Sequence, residues 1–213
     1  MKTERREPSL VPLLVITAVL LAGALITTVS SHPPTEENPM TPQEGRTTIV
    51  DIIVNTSHKL DVRGWWPRSG AAAPSTCTLP DKTQGASYDF DLWAPRERQG
   101  ENEELRAEQR ERDAQIVADY WTELGMTTRI AATPTRFPTV YATGGPIRSA
   151  SFDTGAGDHD YRIGIEGHCS VGNAADLLEE DAARRAAGEI LPGDEGLLEW
   201  DDPRRADKNT PVP

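Results

Sequence analysis

Cysteine is scarce in this chain, which has only Cys77 and Cys169 among its 213 residues. Because no cysteine precedes Cys77, the N-terminal apolar segment has no thiol to acylate, and we expect no lipoprotein anchor. The chain also has no C-x-x-C motif, so a redox-active or metal-binding pair is the weaker alternative. In an oxidising compartment the two cysteines most simply form one disulfide. It would enclose about ninety residues, for which the chain-entropy model gives about 4 kcal/mol.

Basic residues are also in short supply, with 22 Lys and Arg against 34 Asp and Glu and a net charge of −12. The first thirty residues hold three basic and two acidic residues, which leaves 19 basic and 32 acidic residues in the remainder. So acidic a domain is repelled by nucleic-acid backbones and by anionic lipid. Nucleic acid is therefore excluded as an expected partner.

Sequence motifs of catalysis are missing as well. There is no G-x-S-x-G, H-E-x-x-H, S-x-x-K, P-loop or G-x-G-x-x-G, and the four histidines fall on unrelated segments. Asp153, Asp158, His159 and Asp160 could hold a cation, but their spacing is not that of a calcium loop, and a hairpin turn explains them better. We expect no enzyme, no catalytic residue, no metal and no cofactor.

What the chain does have is one long apolar run at residues 10–29, LVPLLVITAVLLAGALITTV, which contains no charge. A helix of this length spans about 30 Å, the thickness of the hydrocarbon core of a bilayer. Lys2, Arg5 and Arg6 precede the run, and the Asp/Glu/Lys/Arg residues that follow it closely are all acidic. The positive-inside rule therefore predicts a transmembrane helix with residues 1–9 in the cytoplasm and the later residues outside.

A cleaved signal peptide is the competing interpretation of the same run. Ala22, Gly23 and Ala24 would make a cleavage site of small residues. The uncleaved anchor is favoured because the apolar run continues past this site through Leu25 and Ile26.

The remaining chain divides into three parts by composition. Residues 30–45 are rich in Pro, Glu, Thr and Asn and predict a flexible spacer, and residues 46–190 predict one extracytoplasmic domain. Residues 191–213 predict a disordered acidic tail. The apolar Leu197, Leu198 and Trp200 leave a short binding motif open as an alternative to an inert tail.

The domain is expected to be α+β, with two layers, an antiparallel sheet of four to five strands and helices on one face. Residues 87–95 alternate Tyr88, Phe90 and Leu92 with Asp89, Asp91 and Trp93, as in a half-buried strand. Short turns separate the later strands, so these are antiparallel. The other predicted strands are 126–130, 139–142, 147–152 and 161–168, and the predicted helices are 46–60, 101–124 and 173–188. The β-branched residues of 46–60 would also suit a strand, but the helical spacing of its apolar residues favours a helix.

Two features of these segments could form binding surfaces. The first half of helix 101–124 is nearly all charged, and we expect it to be a solvated surface rather than a partner surface. Trp65 and Trp66 lie in a segment, 62–80, that predicts irregular backbone. The favoured interpretation is that one indole packs on the domain and the other is half exposed. The alternative is a ligand-stacking platform of Trp65, Trp66 and Trp93.

Several sequence patterns resemble small membrane-anchored or lipoprotein-like external proteins of high-GC Gram-positive bacteria. They are YWTELGMTTRI at the end of a helix, and YATGGPIRSASFDTG and YRIGIEGHCSVG in the closing strands. The resemblance covers about residues 46–172. It implies an extracytoplasmic protein of a group whose members mostly have unknown function, so it assigns no catalytic residue. The missing acylatable cysteine separates this chain from the lipoprotein members.

Together these observations predict a membrane-anchored, non-enzymatic protein of the cell envelope that acts by contact with an unidentified envelope protein. The alternative is a module that binds a small ligand or a cell-wall sugar.

Overall fold

The computed structural model of the protein describes residues 40–94, 103–131, 137–157 and 160–198. The chain divides into two units, Met1–Asn38 and Pro39–Pro213, and the described residues all lie in the second. They form three α-helices and an antiparallel sheet of six strands, which confirms the α+β class. The predicted membrane segment at 10–29 lies outside them, and none of the helices described is long and apolar enough to cross a bilayer.

The sheet has the spatial order β1-β2-β6-β5-β4-β3, and every neighbouring pair is antiparallel. Strands β3 to β6 are consecutive hairpins, whereas β2 and β3 lie four strands apart and are connected through a helix. In chain order the elements are α1 (Pro42–Lys59), β1 (Ala73–Thr78), β2 (Gln84–Ala94), α2 (Glu103–Glu123), β3 (Thr127–Ala131), β4 (Thr139–Gly144), β5 (Ile147–Ala156), β6 (Asp160–Glu166), α3 (Ala174–Ala186) and a short 3-10 helix (Glu195–Leu197).

The structure has one strand more than the sequence predicts. The additional strand is β1, which falls in the segment 62–80 that predicts irregular backbone. It lies at the edge of the sheet, and most of its residues, APSTCT, are not buried. The strand therefore needs no alternation of apolar and polar residues, and its sequence shows none. Pairing with β2, rather than local sequence preference, determines its conformation.

Helix α1 begins at Pro42, four residues before the predicted start, so the spacer is shorter than expected. Thr41 is the N-cap, and its hydroxyl accepts a hydrogen bond from the backbone N–H of Glu44 at 3.2 Å. The Glu44 carboxylate in turn accepts from the backbone N–H of Thr41 at 2.7 Å. This capping box, with proline at the first helical position, extends the helix into a proline-rich stretch.

The two faces of the sheet differ, as the alternation in β2 predicts. Tyr88, Phe90 and Leu92 are buried in the core together with apolar residues of the three helices. Asp89, Asp91 and Trp93 belong to the opposite side of the strand because successive side chains alternate between the faces of a sheet. We call the side that carries these three residues the open face.

Helix α2 contradicts the expectation that its charged half is only a solvated surface. Arg110 and Asp113 are each 1% exposed. The Asp113 carboxylate accepts a hydrogen bond from the Tyr161 hydroxyl at 2.7 Å, and the Arg110 guanidinium lies 4.2 Å from the centre of the Phe137 ring. Tyr161 belongs to β6 and Phe137 precedes β4, so periodicity within the helix gives no sign of these partners.

The C-terminal segment is folded further than the sequence predicts, since the predicted disordered tail begins at residue 191. Leu191 is fully buried, and Asp194 is 6% exposed. Asp194 accepts two hydrogen bonds from Arg185, at 2.9 and 3.1 Å, and lies 3.5 Å from Arg46. Arg46 also forms an ion pair with Asp181 at 3.0 Å. We call these four residues the buried ion cluster; it connects α1, α3 and the C-terminal segment.

The predicted disulfide between Cys77 and Cys169 is confirmed. It connects β1 to the segment after β6 and lies beside Gly85 of β2. A Cβ atom at Gly85 would come within 2.9 Å of the Cys169 sulfur and 2.6 Å of the Ser170 carbonyl oxygen. Only glycine therefore fits below the disulfide.

Tyr88 makes the stability of the fold depend on pH. Burial and the hydrogen bond that its hydroxyl donates to Asp181 raise its pKa to about 12, although the charge of Arg46 opposes this. Since an unfolded tyrosine has a pKa of about 10, neutral Tyr88 stabilises the folded protein fully below that pH. We expect about 2 kcal/mol to be lost as the pH rises from about 10 to 12.

Urea unfolding at a series of alkaline pH values measures this loss. The Tyr88→Phe variant, which has no phenol at this position, should have lower stability at neutral pH and a flatter pH dependence. Equal slopes for the variant and the wild type between pH 10 and 12 would contradict this account of Tyr88.

Candidate functional site

A groove runs over the open face. It consists of two adjacent cavities of about 590 and 640 Å³, and Ser69, Asp91 and Arg162 line both of them. Strands β2, β4, β5 and β6 contribute most of the lining, and the loop before β1 contributes Ser69, Gly70 and Ala71. The charged side chains that line it are Asp89, Asp91, Asp153, Arg162 and Glu166.

Asp91 lies at the centre of the groove and is 8% exposed. Its Oδ2 atom accepts hydrogen bonds from the Ser69 hydroxyl at 3.0 Å, the Trp93 indole N–H at 3.0 Å and Arg162 Nε at 3.2 Å. Its Oδ1 atom is buried, and no donor among the described residues reaches it. One carboxylate oxygen is thus saturated while the other lacks the partner that buried polar atoms normally have.

Arg162 is the central basic group of the groove. In addition to Asp91, it approaches Asp153 of β5 at 3.8 Å. Its guanidinium lies across Gly164, because a Cβ atom at that position would come within 2.9 Å of Arg162 Nη2. Gly164 therefore leaves the space in which Arg162 lies flat on the sheet, and about a third of the Arg162 side chain remains exposed.

An aromatic ring with an arginine over it lies on each side of the groove. The Arg68 guanidinium lies 4.6 Å from the centre of the Trp93 ring, and the Arg129 guanidinium lies 4.7 Å from the centre of the Tyr141 ring. Such contacts stabilise an arginine without using its N–H donors. Tyr141 is 43% exposed, so part of its ring remains accessible.

One end of the groove is acidic. Asp89 of β2 and Glu166 of β6 are directly opposite each other in the sheet register. Glu166 accepts hydrogen bonds from Arg148 at 2.7 Å and from the Ser149 hydroxyl at 3.1 Å. Partial burial raises the pKa of Asp89, and the neighbouring charges of Glu166 and Asp91 raise it further, while a hydrogen bond from Ser75 opposes them.

The structure separates Trp65 from Trp66 and Trp93, the other two tryptophans of the predicted stacking platform. Trp65 is 3% exposed, and its indole N–H donates to the Val62 carbonyl at 3.1 Å, so this ring is part of the core. Trp66 is partly buried, and its backbone pairs with that of Trp93. Trp93 lines the groove. The ligand-stacking role of Trp66 and Trp93 stays a prediction, whereas burial leaves Trp65 without a surface for a ligand.

Only some residues of the cluster that the sequence suggests as a cation site belong to the part of the chain that the structure describes. Asp153 lies in the groove next to Arg162, whereas Asp158, His159 and the side chain of Asp160 are outside the described residues. Within the residues that the structure describes, no three His, Cys, Asp or Glu side chains are arranged to hold a metal ion.

The sequence does not indicate that Asp91 and Arg162 meet at the centre of the groove. The alternation of β2 places Asp89, Asp91 and Trp93 on one face, and the same period of two in β6 would place Arg162 and Glu166 on one face. The missing information is the pairing of β2 with β6, which brings these two rows together. These strands are about seventy residues apart in sequence, and no local pattern indicates that they are neighbours.

A solved structure of a DUF4853 family protein from Actinomyces odontolyticus ATCC 17982 is similar to this chain at 12% sequence identity, with a TM-score of 0.37. The match covers 80% of this chain and 71% of that protein. No protein-family profile and no curated protein sequence matches the chain. A TM-score of this size does not establish a shared fold, so the function has to be inferred from the groove.

Proposed function

We propose that this chain is a single-pass membrane protein whose extracytoplasmic domain binds an oligosaccharide of the cell envelope without acting on it as an enzyme. The observation that carries the proposal is the groove on the open face, with Asp91 and Arg162 at its centre. The disulfide supports the extracytoplasmic part, because disulfides persist in oxidising compartments.

An oligosaccharide fits the chemistry of this groove. Each sugar hydroxyl both donates and accepts hydrogen bonds, so a sugar site needs donors and acceptors side by side. Arg162 supplies charged donors, Asp153 supplies a charged acceptor, and the hydroxyls of Ser149 and Ser151 do both. The accessible part of the Tyr141 ring offers an apolar surface to the C–H groups of a sugar.

The shape of the groove fits an elongated ligand. Two adjacent cavities, each of several hundred cubic ångströms, are lined by residues of four strands. Cavities of this size hold small organic ligands in other proteins. A short oligosaccharide can occupy two adjacent cavities, whereas a monosaccharide occupies only one of them.

Isothermal titration of the full-length protein in a zwitterionic detergent tests this function. The probes are three β-1,4-linked tetrasaccharides with one backbone: neutral cellotetraose, the N-acetylglucosamine tetramer and the glucosamine tetramer. We expect at least one to bind saturably. The Arg162→Gln variant should bind that tetramer roughly ten-fold or more weakly, because it loses charge-assisted hydrogen bonds.

Gly164→Ala is the sharper variant, since it keeps every charge. The added methyl group has to displace the Arg162 guanidinium. Alanine costs a strand no stability relative to glycine, so the fold should be retained while affinity falls. Arg184→Gln, which removes a charge from an exposed ion pair of α3, is the matched control and should bind as the wild type does.

Two results would overturn the binding function: no binding of any tetramer at millimolar concentration, and unchanged affinity in Gly164→Ala. Release of shorter fragments during long incubation would contradict the non-enzymatic role. Contact with an envelope protein stays a prediction, which capture of one stoichiometric partner from a detergent extract would test.

A further inference from the structure

The loop before β1 forms one wall of the groove and contacts the groove's centre. We call its residues Ser69, Gly70 and Ala71, which line the groove, the groove wall. The Gly70 N–H donates to the Pro67 carbonyl at 2.9 Å, which closes a turn. The Ser69 hydroxyl donates to Asp91 Oδ2 at 3.0 Å. A shift of this loop would therefore change the contacts of the central carboxylate.

Residues 191–198 pack against both ends of this loop without lining the groove themselves. A Cβ atom at Gly196 would come within 2.7 Å of Pro67 Cδ, and one at Gly193 would come within 3.1 Å of Ala72 Cβ. Pro67 and Ala72 are both buried. The backbone of residues 191–198 thus approaches the loop as closely as it can only because these two positions are glycines.

The buried ion cluster fixes the position of residues 191–198. Asp194 accepts two hydrogen bonds from Arg185, and Arg46 Nε donates to the Pro192 carbonyl at 2.9 Å. Leu191 is fully buried beside them. Charge-assisted hydrogen bonds of this kind hold a segment more firmly than neutral ones do. The loop that carries the groove wall therefore rests on a support that is anchored to α1 and α3.

We infer that Gly193 and Gly196 are positioning residues, which set the place of the groove wall, and thereby the affinity of the groove, from outside it. This inference rests on the proposed function. Protein interiors are packed closely enough to transmit a displacement from one contact to the next. The Pro67 ring is rigid and holds its own φ angle, so it passes a shift on to the loop instead of absorbing it.

The Gly196→Ala variant of the full-length protein tests the inference. The backbone at Gly196 is outside the left-handed region, so alanine is allowed there, but its methyl group has to displace Pro67. We expect the amide signals of Ser69, Gly70 and Asp91 to shift without ligand. Affinity for whichever of the three tetrasaccharides binds should fall about five-fold or more, because binding sites depend on positions held to about 0.5 Å.

Gly45→Ala is the matched control. It adds the same methyl group to α1, where the nearest neighbour is the Met40 sulfur at 3.7 Å, an ordinary contact distance. Alanine is also favoured over glycine within a helix. This variant should leave both the three amide signals and the affinity as they are in the wild type.

A second substitution separates positioning from general damage to the fold. Pro67→Ala removes the ring atoms that the methyl group of Gly196→Ala would meet. The double variant should therefore bind the tetrasaccharide more tightly than Gly196→Ala alone, as expected for two residues in direct contact. If Gly196→Ala fails to fold, recovery of folding and binding in the double variant supports the same contact.

Four results would overturn the inference and leave the sugar-binding function in place. They are unchanged affinity in Gly196→Ala, unchanged amide signals of Ser69 and Asp91 in that variant, a double variant that binds no more tightly than Gly196→Ala, and a double variant that stays unfolded. If no tetrasaccharide binds the wild type, the proposed function fails, whereas the amide signals of the ligand-free variants still test the positioning of the loop.

Discussion

The Arg46→Met variant should lose about 3–5 kcal/mol of unfolding free energy, measured by urea denaturation at pH 7. Arg46 is 2% exposed and lies at the centre of the buried ion cluster. It forms an ion pair with Asp181 at 3.0 Å and donates to the Pro192 carbonyl at 2.9 Å. Methionine retains much of the volume, but it leaves the Asp181 carboxylate buried without a cation. An uncompensated buried charge is among the most destabilising single changes in proteins.

Two further variants separate this effect from general damage. Arg184→Met removes an arginine from an exposed ion pair and should cost about 1 kcal/mol or less. Adding Asp181→Asn to Arg46→Met removes the isolated charge and should restore about 1–2 kcal/mol. If Arg46→Met unfolds within 1 kcal/mol of the wild type, the cluster does not hold α1 and the C-terminal segment together.

Replacing both Cys77 and Cys169 with alanine should lower the unfolding free energy by about 4 kcal/mol. The disulfide joins residues 92 positions apart, so its loss frees a large part of the unfolded chain. It also connects the edge strand β1 to the segment that follows β6. For a domain of this size we expect the melting temperature to fall by roughly 10 °C.

Reduced wild-type protein is the control for the alanine variant. In excess dithiothreitol, the wild type should melt at the same temperature as the double variant, because both lack the covalent bond. A melting temperature of the double variant within about 2 °C of the oxidised wild type would show that the bond adds little to the fold.

The sequence predicts those parts of the fold that local physics determines. In β2, buried Tyr88, Phe90 and Leu92 alternate with Asp89 and Asp91, and a period of two is a strong signal. The disulfide is expected from two cysteines and a predicted oxidising compartment. The location of residues 10–29 in a membrane stays a prediction, since this segment lies outside the described residues.

Long-range pairing explains what the sequence does not predict. Arg46 and Asp194 are polar residues at the predicted boundaries of the domain, and composition alone suggests that both are solvated. They are buried because each finds an oppositely charged partner more than a hundred residues away. Charged residues are rarely buried without a partner, and a single sequence does not show which residues pair.

The candidate site shows the same limit. Adjacent Trp65 and Trp66 are the most conspicuous aromatic feature of the sequence, yet Trp65 is in the core. The groove depends instead on Arg162 of β6 lying beside Asp91 of β2. Gly164 provides the space for Arg162, and a glycine in a strand does not by itself indicate such a role in the sequence. The side chains could be assigned to faces from the sequence, but their meeting depends on the strand order.

Amide NMR of the isotopically labelled protein, titrated with whichever of the three tetrasaccharides binds, tests most directly whether the open face is the binding surface. The account predicts that the largest shift changes occur at Ser69, Asp89, Asp91, Arg162 and Gly164 and that they saturate with ligand concentration. Changes concentrated on α1, α2 and α3, with these five amides unaffected, would place binding on the other side of the sheet and contradict the account.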